Sequence, residues 1–378
     1  MHLNCLQTDL TGAVNTVRRS IAVNSPVPAL KGILLETAED SLTLESTDTE
    51  LRISCTIVAK VLEPGRVLIP ATYFGDLVRL LSEESVEIKT IENDQVLQVN
   101  YTNSVVKFNC FDPEDYPEFE DSENKPLFSV HPDILSESIK QVSFAASRDL
   151  ARPILTGTLF DIKSTDNITL VATDSHRLTR KDVPIKALDK NMDSISAIIP
   201  SRALNELNRV ISGNILEEEV YVGFSSTRVF FKYGSTIIQS QLIDGQFPHY
   251  DEVIPKVIST TVHVETTDLS HSLNRAALIA FADAKGKSGG VVRQNVQEDT
   301  MRINAQSNDV GEVEEIIHIE KTGEDLQIAF NARYLLDVLK ALDSERITIE
   351  YSGPLSPALY RAEDKADYLY LVLPIRIS

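Results

Sequence analysis

Thr173-Asp174-Ser175-His176 puts an acid, a hydroxyl and an imidazole within four residues, the groups from which a hydrolytic triad is built. Neighbouring side chains on a strand point to opposite faces, so this spacing does not bring nucleophile, base and orienting acid together. Hydrolysis by Asp174 and His176 stays open only as an alternative. Ala284-Lys-Gly-Lys-Ser288 ends like a phosphate-binding loop, but the earlier glycine of that motif falls at Phe281. Cys5, Cys55 and Cys110 are far apart and odd in number, with no Cys-x-x-Cys spacing, which argues against a disulfide framework or a zinc site. No His-Glu-x-x-His, Gly-x-Ser-x-Gly or glycine-rich dinucleotide turn occurs. The residue types point to a binding scaffold with no catalytic residue, metal or cofactor.

One charged position recurs. Arg79, Arg209 and Lys340 each lie nine residues after Pro70, Pro200 and Asn331, and an acid (Asp76, Glu206, Asp337) stands three residues before each. On a helix this spacing makes an ion pair worth about 0.2–0.5 kcal/mol. It also makes a row of cations that could face a phosphate backbone, and both uses can hold at once.

The elements that carry these residues come in three copies. Leu10, Val14, Val17 and Ile21 repeat as Leu135, Ile139, Val142 and Ala146, and again as Leu269, Leu273, Ala276 and Ala280. Steps of four, three and four are helical. The starts are 125 and 134 residues apart. A second helix family opens at Ile69-Pro70, Ile199-Pro200 and Phe330-Asn331, spaced by 130 and 131 residues. The six helices are placed at 10–22, 72–82, 134–146, 201–212, 269–281 and 332–343. Between them alternation and β-branched residues predict strands at Gly32–Leu35, Ser41–Glu45, Leu51–Ile57, Gly157–Phe160 and Ile168–Ala172. After the second helices come hairpin-like pairs: Ser85–Ile91 with Val96–Phe108, Glu219–Phe224 with Arg228–Leu242, and Arg346–Tyr351 with Ala358–Pro374. The fold class is α+β, in three tandem two-helix plus antiparallel-sheet domains. Proline-containing linkers at 111–126 and 243–255 set the domains at 1–122, 126–250 and 253–378; Asp115-Tyr-Pro117 and Gln246-Phe-Pro248 are equivalent.

A chain of 378 residues is long enough for about three such domains. No run of about 18 apolar residues is present, so a soluble, cytoplasmic protein without a membrane partner is expected. The net charge of −20 argues against nucleic acid if taken as a sum. Its distribution differs: the six helices as placed carry nine basic and five acidic residues, and the rest of the chain carries the negative charge.

Arg152-Pro-Ile-Leu-Thr-Gly157, Ala172-Thr-Asp-Ser-His-Arg-Leu178, Asp244-Gly-Gln-Phe-Pro248 and the tail Leu373-Pro-Ile-Arg376 follow one another in order. With them the whole chain resembles the bacterial DNA polymerase III β-subunit family, the replication sliding clamps. The resemblance implies a non-enzymatic processivity factor. It implies a head-to-tail homodimer whose six domains form a ring, with helices lining a hole for duplex DNA. It implies a peptide pocket for the polymerase III α subunit, the clamp loader and other polymerases and repair proteins. Carried onto this chain, that pocket comprises Leu155, Thr173, His176, Arg177, Leu178, Pro248, Val253, Leu371, Leu373, Pro374, Ile375 and Arg376. Leu155 and Leu178 taken singly would equally serve a plain core. Members often place methionines beside the tail proline; Leu373 and Ile375 stand here instead and are stiffer. DNA-facing candidates are Arg79, Arg152, Arg209, Arg275 and Lys340, and the Lys285–Gly290 loop is a further possible contact. Ring-interface candidates are Val106 and Phe108 on one side, and Leu278 and Ile279 on the other. The third copy lacks the Thr-Asp pair of Thr47-Asp48 and Thr173-Asp174, which favours a structural turn role for Asp48. A diverged paralogue that keeps the ring for another partner is the remaining alternative.

Overall fold

The computed structural model describes residues 1–82, 84–91, 94–119, 125–188, 194–213, 218–282 and 290–376. The Lys285–Gly290 loop lies almost wholly outside them. In the first copy β1 (His2–Leu6) leads into α1 (Gln7–Val17). Then come β2 (Gly32–Ala38), β3 (Ser41–Thr47), β4 (Leu51–Glu63), β5 (Arg66–Pro70), α2 (Ala71–Leu80), β6 (Ser85–Ile91), β7 (Val96–Tyr101) and β8 (Ser104–Asn109). The second copy has β9 (Phe128–Val130), α3 (Pro132–Val142), β10 (Gly157–Ile162), β11 (Asn167–Thr173), β12 (Arg177–Pro184), a short β13 (Lys186–Ala187), β14 (Ile195–Pro200), α4 (Ser201–Gly213), β15 (Val220–Phe224), β16 (Arg228–Tyr233) and β17 (Thr236–Gln241). The third has β18 (Thr260–Glu265), α5 (Thr266–Ala280), β19 (Val291–Gln297), β20 (Thr300–Ser307), β21 (Gly311–His318), β22 (Glu320–Gly323), β23 (Leu326–Asn331), α6 (Ala332–Ala341), β24 (Arg346–Tyr351), β25 (Ala358–Ala362) and β26 (Lys365–Val372). Among the described residues all strand pairing is antiparallel, and the α+β repeat expected from the sequence is present.

Helical periodicity located all six helices, but their ends moved. α1 stops at Val17, and Arg18–Ser20 tightens into a 3₁₀ turn. Ser20 Oγ bonds Ser46 O at 2.9 Å and so turns the chain inward. α3 likewise ends in a 3₁₀ turn at Ser143–Ala145. α2 begins directly after Pro70, whose missing N–H costs nothing at a helix start. In α6 the same place holds Asn331, whose side chain accepts the Arg333 N–H at 2.9 Å. With these ends the helices carry seven basic residues (Arg79, Lys140, Arg202, Arg209, Arg275, Arg333, Lys340) and seven acidic ones (Asp9, Asp76, Asp133, Glu137, Glu206, Asp268, Asp337). They are neutral rather than mildly positive, because Arg18 and Arg19 fall in the 3₁₀ turn and the first turns add acids.

The hairpin-like pairs are three-stranded meanders. The chain reverses again at Thr102 (φ 47°), at Gly234 (φ 55°) and between β25 and β26. Alternation continues through these short turns, which hid them. A strand before the first helix of each copy (β1, β9, β18) also escaped the sequence reading, as did β5, β12 to β14 and β19 to β23.

Two compact units hold these elements. One comprises Met1–Asp133, Ile185–Met192 and Arg202–Leu242; the other comprises Ile134–Pro184, Asp193–Ser201 and Ile243–Ser378. The first unit contains one thirteen-stranded sheet, with β13-β9-β15-β16-β17-β4-β1-β6-β7-β8 as its path and β3, β2 and β5 branching from β4. The second contains a nine-stranded sheet, β14-β10-β11-β12-β26-β25-β24-β18-β22, and a four-stranded one, β21-β20-β19-β23. The sheets therefore run across repeat junctions. The fourth long strand of each copy pairs with the last strand of the next: β4 with β17, and β12 with β26. Their registers correspond, Leu51 facing Ser240 and Arg177 facing Val372.

Side-chain burial follows the periodicity. α1 buries Leu10, Ala13, Val14 and Val17. α6 buries Leu335, Val338 and Leu339 against a core containing Leu269, Leu273, Phe330 and Tyr360. Leu335 is 0 % exposed, whereas Leu80 on α2 is 78 % exposed. Leu335→Ala is expected to destabilise the protein by about 2–5 kcal/mol, and Leu80→Ala by no more than about 0.5 kcal/mol. Urea denaturation of the two variants checks this; equal midpoints would contradict the packing described.

Candidate functional site

The turn between β11 and β12 organises the site. Thr173 Oγ1 donates to Arg177 O at 2.7 Å and accepts the Ser175 N–H at 3.1 Å. Asp174 Oδ1 accepts the N–H groups of His176 and Arg177 at 2.9 and 3.0 Å. These bonds hold Ser175 at φ 77°, a conformation that costs an L-residue about 1–2 kcal/mol. The first copy repeats the turn: Thr49 has φ 83°, and Asp48 Oδ1 accepts from Glu50 and Leu51 at 3.1 and 2.8 Å. The turn role expected for Asp48 is seen, and Asp48 also pairs with Arg202. In the third copy Ser307-Asn308 occupies this place, with Ser307 Oγ accepting the Asp309 N–H at 3.2 Å.

Asp174 has little left for catalysis. Its Oδ2 pairs with Arg177 Nε at 3.1 Å, and the His176 ring lies parallel to Tyr334 at 6.5 Å, 20° from coplanar. The carboxylate serves the turn and the guanidinium.

Beside the turn is a cavity of about 260 Å³. The 3₁₀ turn Pro153–Leu155 contributes Leu155, the β11–β12 turn and its flanks contribute Thr173 and Ser175 to Leu178, the segment after Ile243 contributes Phe247 to Tyr250 and Val253, and β26 with the residue after it contributes Leu371 and Leu373. Nine of the twelve residues expected to form the pocket therefore meet there. Pro374, Ile375 and Arg376 do not line it: the Leu373 N–H bonds His176 O at 2.9 Å, and the Ile375 N–H then bonds Ala329 O at 2.8 Å, drawing the tail away. Ser175, Phe247, His249 and Tyr250 also line the wall. The Gln246-Phe-Pro248 motif was the signal for Phe247, but a motif does not tell which neighbours face inward. Leu155, Leu178 and Leu371 are buried, while Leu373 and Val253 are 38 % and 53 % exposed. The floor continues into a cluster of Leu159, Val171, Ile198 and Leu369. Such a hollow suits apolar anchors, each worth about 1.5–3 kcal/mol when fully buried.

Arg177 lies 8 % exposed in the wall. Nε meets Asp174, Nη1 meets Asp337 Oδ2 at 2.7 Å, and Nη2 donates to Phe144 O at 2.9 Å. Its guanidinium stacks over Tyr334 at 4.5 Å and Phe144 at 5.3 Å. Burial works against its charge, but Tyr370, Asp337 and Asp174 outweigh that and hold it above its ordinary value. Tyr250 is pushed up to about 12 by burial and by donating to Asp161 Oδ2 at 2.8 Å.

The other expected residues are scattered. Arg79 lies 3.9 Å from Asp76 and Arg209 lies 2.7 Å from Glu206, the helical pairs foreseen. Lys340 is exposed, but its acid Asp337 is taken by Arg177 instead. Arg275 grips Glu315 of β21 through two bonds of 2.5 and 2.7 Å. Arg152 reaches Ser175 Oγ at 2.9 Å, beside the cavity. Val106 and Phe108 lie half-buried on β8, an edge strand, with Phe108 against Phe74 at 6.1 Å. Leu278 is exposed on α5, and Ile279 packs against the third-copy core.

A threefold helix-and-sheet repeat with a small apolar pocket at a repeat junction defines a clamp-type scaffold. Residues 1–120, 129–249 and 251–376 match the N-terminal, central and C-terminal domains of the DNA polymerase III beta subunit. The beta sliding clamp of Streptococcus pneumoniae serotype 4 is 31 % identical over 376 residues, covering 97 % of each chain. The solved DNA polymerase sliding clamp of Bacillus subtilis covers both chains fully with a TM-score of 0.94 at 26 % identity. The DNA polymerase III subunit beta of Pseudomonas aeruginosa does so at 0.91 and 27 %. The chain belongs to the DNA polymerase III β-subunit family, the sliding clamps. That membership implies DNA and a DNA polymerase as partners. No helix among the described residues is long and apolar enough to cross a membrane.

Asp174→Ala removes the acceptor of three N–H groups, and charged hydrogen bonds of this kind are worth about 1.5–3 kcal/mol each. A drop of at least that size in unfolding free energy is expected, measured by denaturant titration. An unchanged midpoint would show that the turn does not need its carboxylate.

Proposed function

We propose that the chain is a non-catalytic processivity factor working in the cytoplasm as a head-to-tail homodimer, a ring of six domains around duplex DNA. Its domains are 1–122, 126–250 and 253–378. Peptide motifs of the polymerase α subunit, the clamp loader and other polymerases and repair proteins dock against Leu155, Leu178, Pro248, Leu371 and Leu373. The observation that carries this reading is the cavity itself: an apolar floor, polar groups fixed at its rim and partly exposed leucine at its mouth. Two or three buried anchors yield moderate affinity once the costs of association are subtracted, which suits partners that must exchange. Arg79, Arg209, Arg275, Lys340 and, less directly, Arg152 supply cations toward DNA.

Ring closure follows from the repeat. β4 pairs with β17 and β12 with β26, so β21, the matching strand of the third copy, is left with an open edge. β8, the matching last strand of the first copy, is open too. Pairing β21 with β8 of a second copy completes the series. A heterologous contact of this kind closes a ring when the rotation suits. The register of the internal junctions, carried over, sets Gly311 opposite Phe108, Glu312 opposite Lys107 and Val313 opposite Val106. The charges at Glu312 and Lys107 are complementary, and Leu278 and Ile279 flank the joint from α5.

Two experiments test the reading. A fluorescent Gln-Leu-x-Leu-Phe peptide is expected to bind saturably, and Leu373→Ala with Leu155→Ala is expected to abolish binding while leaving the dimer intact. Unaltered binding in that variant would refute the pocket assignment, and no binding to the wild type would favour a paralogue with another partner. For the ring, Lys107→Glu is expected to weaken dimerisation roughly fivefold by placing like charges opposite each other, and Glu312→Lys in the same chain to restore it. Sedimentation equilibrium reads this; loss without restoration would rule out the register.

A further inference from the structure

This inference rests on the peptide-docking reading above and concerns what holds that pocket in shape. We propose that Asp337 is a positioning residue of the peptide pocket, fixing Arg177 from the back, rather than a surface charge of its own helix. The internal repeat provides the comparison. Asp76 and Glu206 keep Arg79 and Arg209 three residues on, at 3.9 and 2.7 Å, although each also meets an arginine from outside its helix, Arg18 at 3.3 Å and Arg19 at 3.5 Å. Asp337 is at the same position of the third copy, with Lys340 three residues on, yet its Oδ2 lies 2.7 Å from Arg177 Nη1. Lys340 has no ion pair among the described residues.

A guanidinium is planar and donates in fixed directions, so acceptors on different edges set its orientation. Arg177 has three: Asp174 at Nε, Phe144 O at Nη2 and Asp337 at Nη1. Asp174 and Phe144 belong to the second repeat. Asp337 alone reaches in from the third, from the helix whose Tyr334 stacks on the same guanidinium. Arg177 and Leu178 face Val372 and Leu371 across the β12–β26 pair. Rotation of Arg177 would therefore disturb the wall from which Leu178, Leu371 and Leu373 present their side chains. Asp337 lines a different cavity, of about 470 Å³, together with Lys140, Phe144 and Lys340, so it acts on the peptide only through Arg177.

The test measures peptide affinity in the intact protein with the fluorescent Gln-Leu-x-Leu-Phe peptide. Asp337→Asn is expected to weaken binding about five- to tenfold, the size of one lost charged hydrogen bond, at temperatures well below unfolding. Asp337→Glu is expected to recover most of the loss. Asp343→Asn, which removes an exposed acid just beyond the same helix, is expected to change nothing. The decisive readout is a double-mutant cycle: in an Arg177→Ala background Asp337→Asn should cost nothing further. A merely structural role would give additive losses and overturn the assignment, as would unchanged affinity in Asp337→Asn when the wild type binds. Should Asp337→Asn fold poorly, Asp337→Ser and its cycle with Arg177→Ala decide in the same way. Absence of binding by the wild type would overturn both this assignment and the docking reading.

Discussion

A strand edge is a row of unpaired N–H and C=O groups, and this chain has to close one at every repeat. It does so with the same device twice: the fourth long strand of a copy takes the last strand of the next. Much else depends on that pairing. It merges repeats into sheets that cross their boundaries, which is why the compact units divide the second copy between them. It brings the β11–β12 turn beside the end of β26, and the pocket is built where those two ends meet. It also leaves one strand of each kind open, at β21 and β8.

Two equivalent junctions have different contents. At the second, Leu178 faces Leu371, and both are buried in an apolar cluster beside Phe247. At the first, the same register sets Arg52 opposite Gln239. Arg52 bonds Gln239 Oε1 at 2.8 Å and the buried Glu45 at 2.5 Å. Phe119, three residues after Tyr116 as Tyr250 is after Phe247, lies 4.8 Å under Arg52 and 5.3 Å under Arg228. The chain's own polar pair and aromatic ring thus occupy the place that the second junction leaves hollow. Two leucines in place of an arginine and a glutamine leave an apolar cavity at the second junction, where the first holds a buried ion pair that keeps its partners and does not yield to an apolar side chain.

The repeat, the helices and part of the strands were legible because each depends on periodicity, which a single sequence carries. The nine expected residues that line the cavity came from the family resemblance, not from pattern. Pro374, Ile375 and Arg376 do not line the cavity, since adjacency to Leu373 says nothing about where the chain turns, and the bond from Ile375 to Ala329 links residues far apart in sequence. The partner of Asp337 was hidden for the same reason: helix spacing names Lys340, while tertiary packing supplies Arg177, 160 positions away. The third-copy turn was overlooked because Ser307-Asn308 performs with other side chains what Thr-Asp does elsewhere.

Charge must be read on the same terms. The chain carries −20, yet its helices are neutral, and the surplus read from the sequence disappears once Arg18 and Arg19 leave α1 and the helix starts take in Asp9, Asp133 and Asp268. Arg209 and Arg275 are engaged with Glu206 and Glu315, and Arg79 is loosely held by Asp76. The Arg79–Asp76 pair is exposed on both sides, and such pairs are worth about 0–1 kcal/mol, so there a phosphate can take the place of the carboxylate at little gain or loss, whereas the covered Glu206 and Glu315 hold their arginines more firmly. A surface that exchanges one anion for another holds each phosphate weakly and releases it readily. Nucleic-acid binding that depended on such contacts would need a strongly basic face to retain its ligand. The ring proposed above needs none: in it retention comes from topology, and weak exchange of anions at the helices permits movement along the duplex.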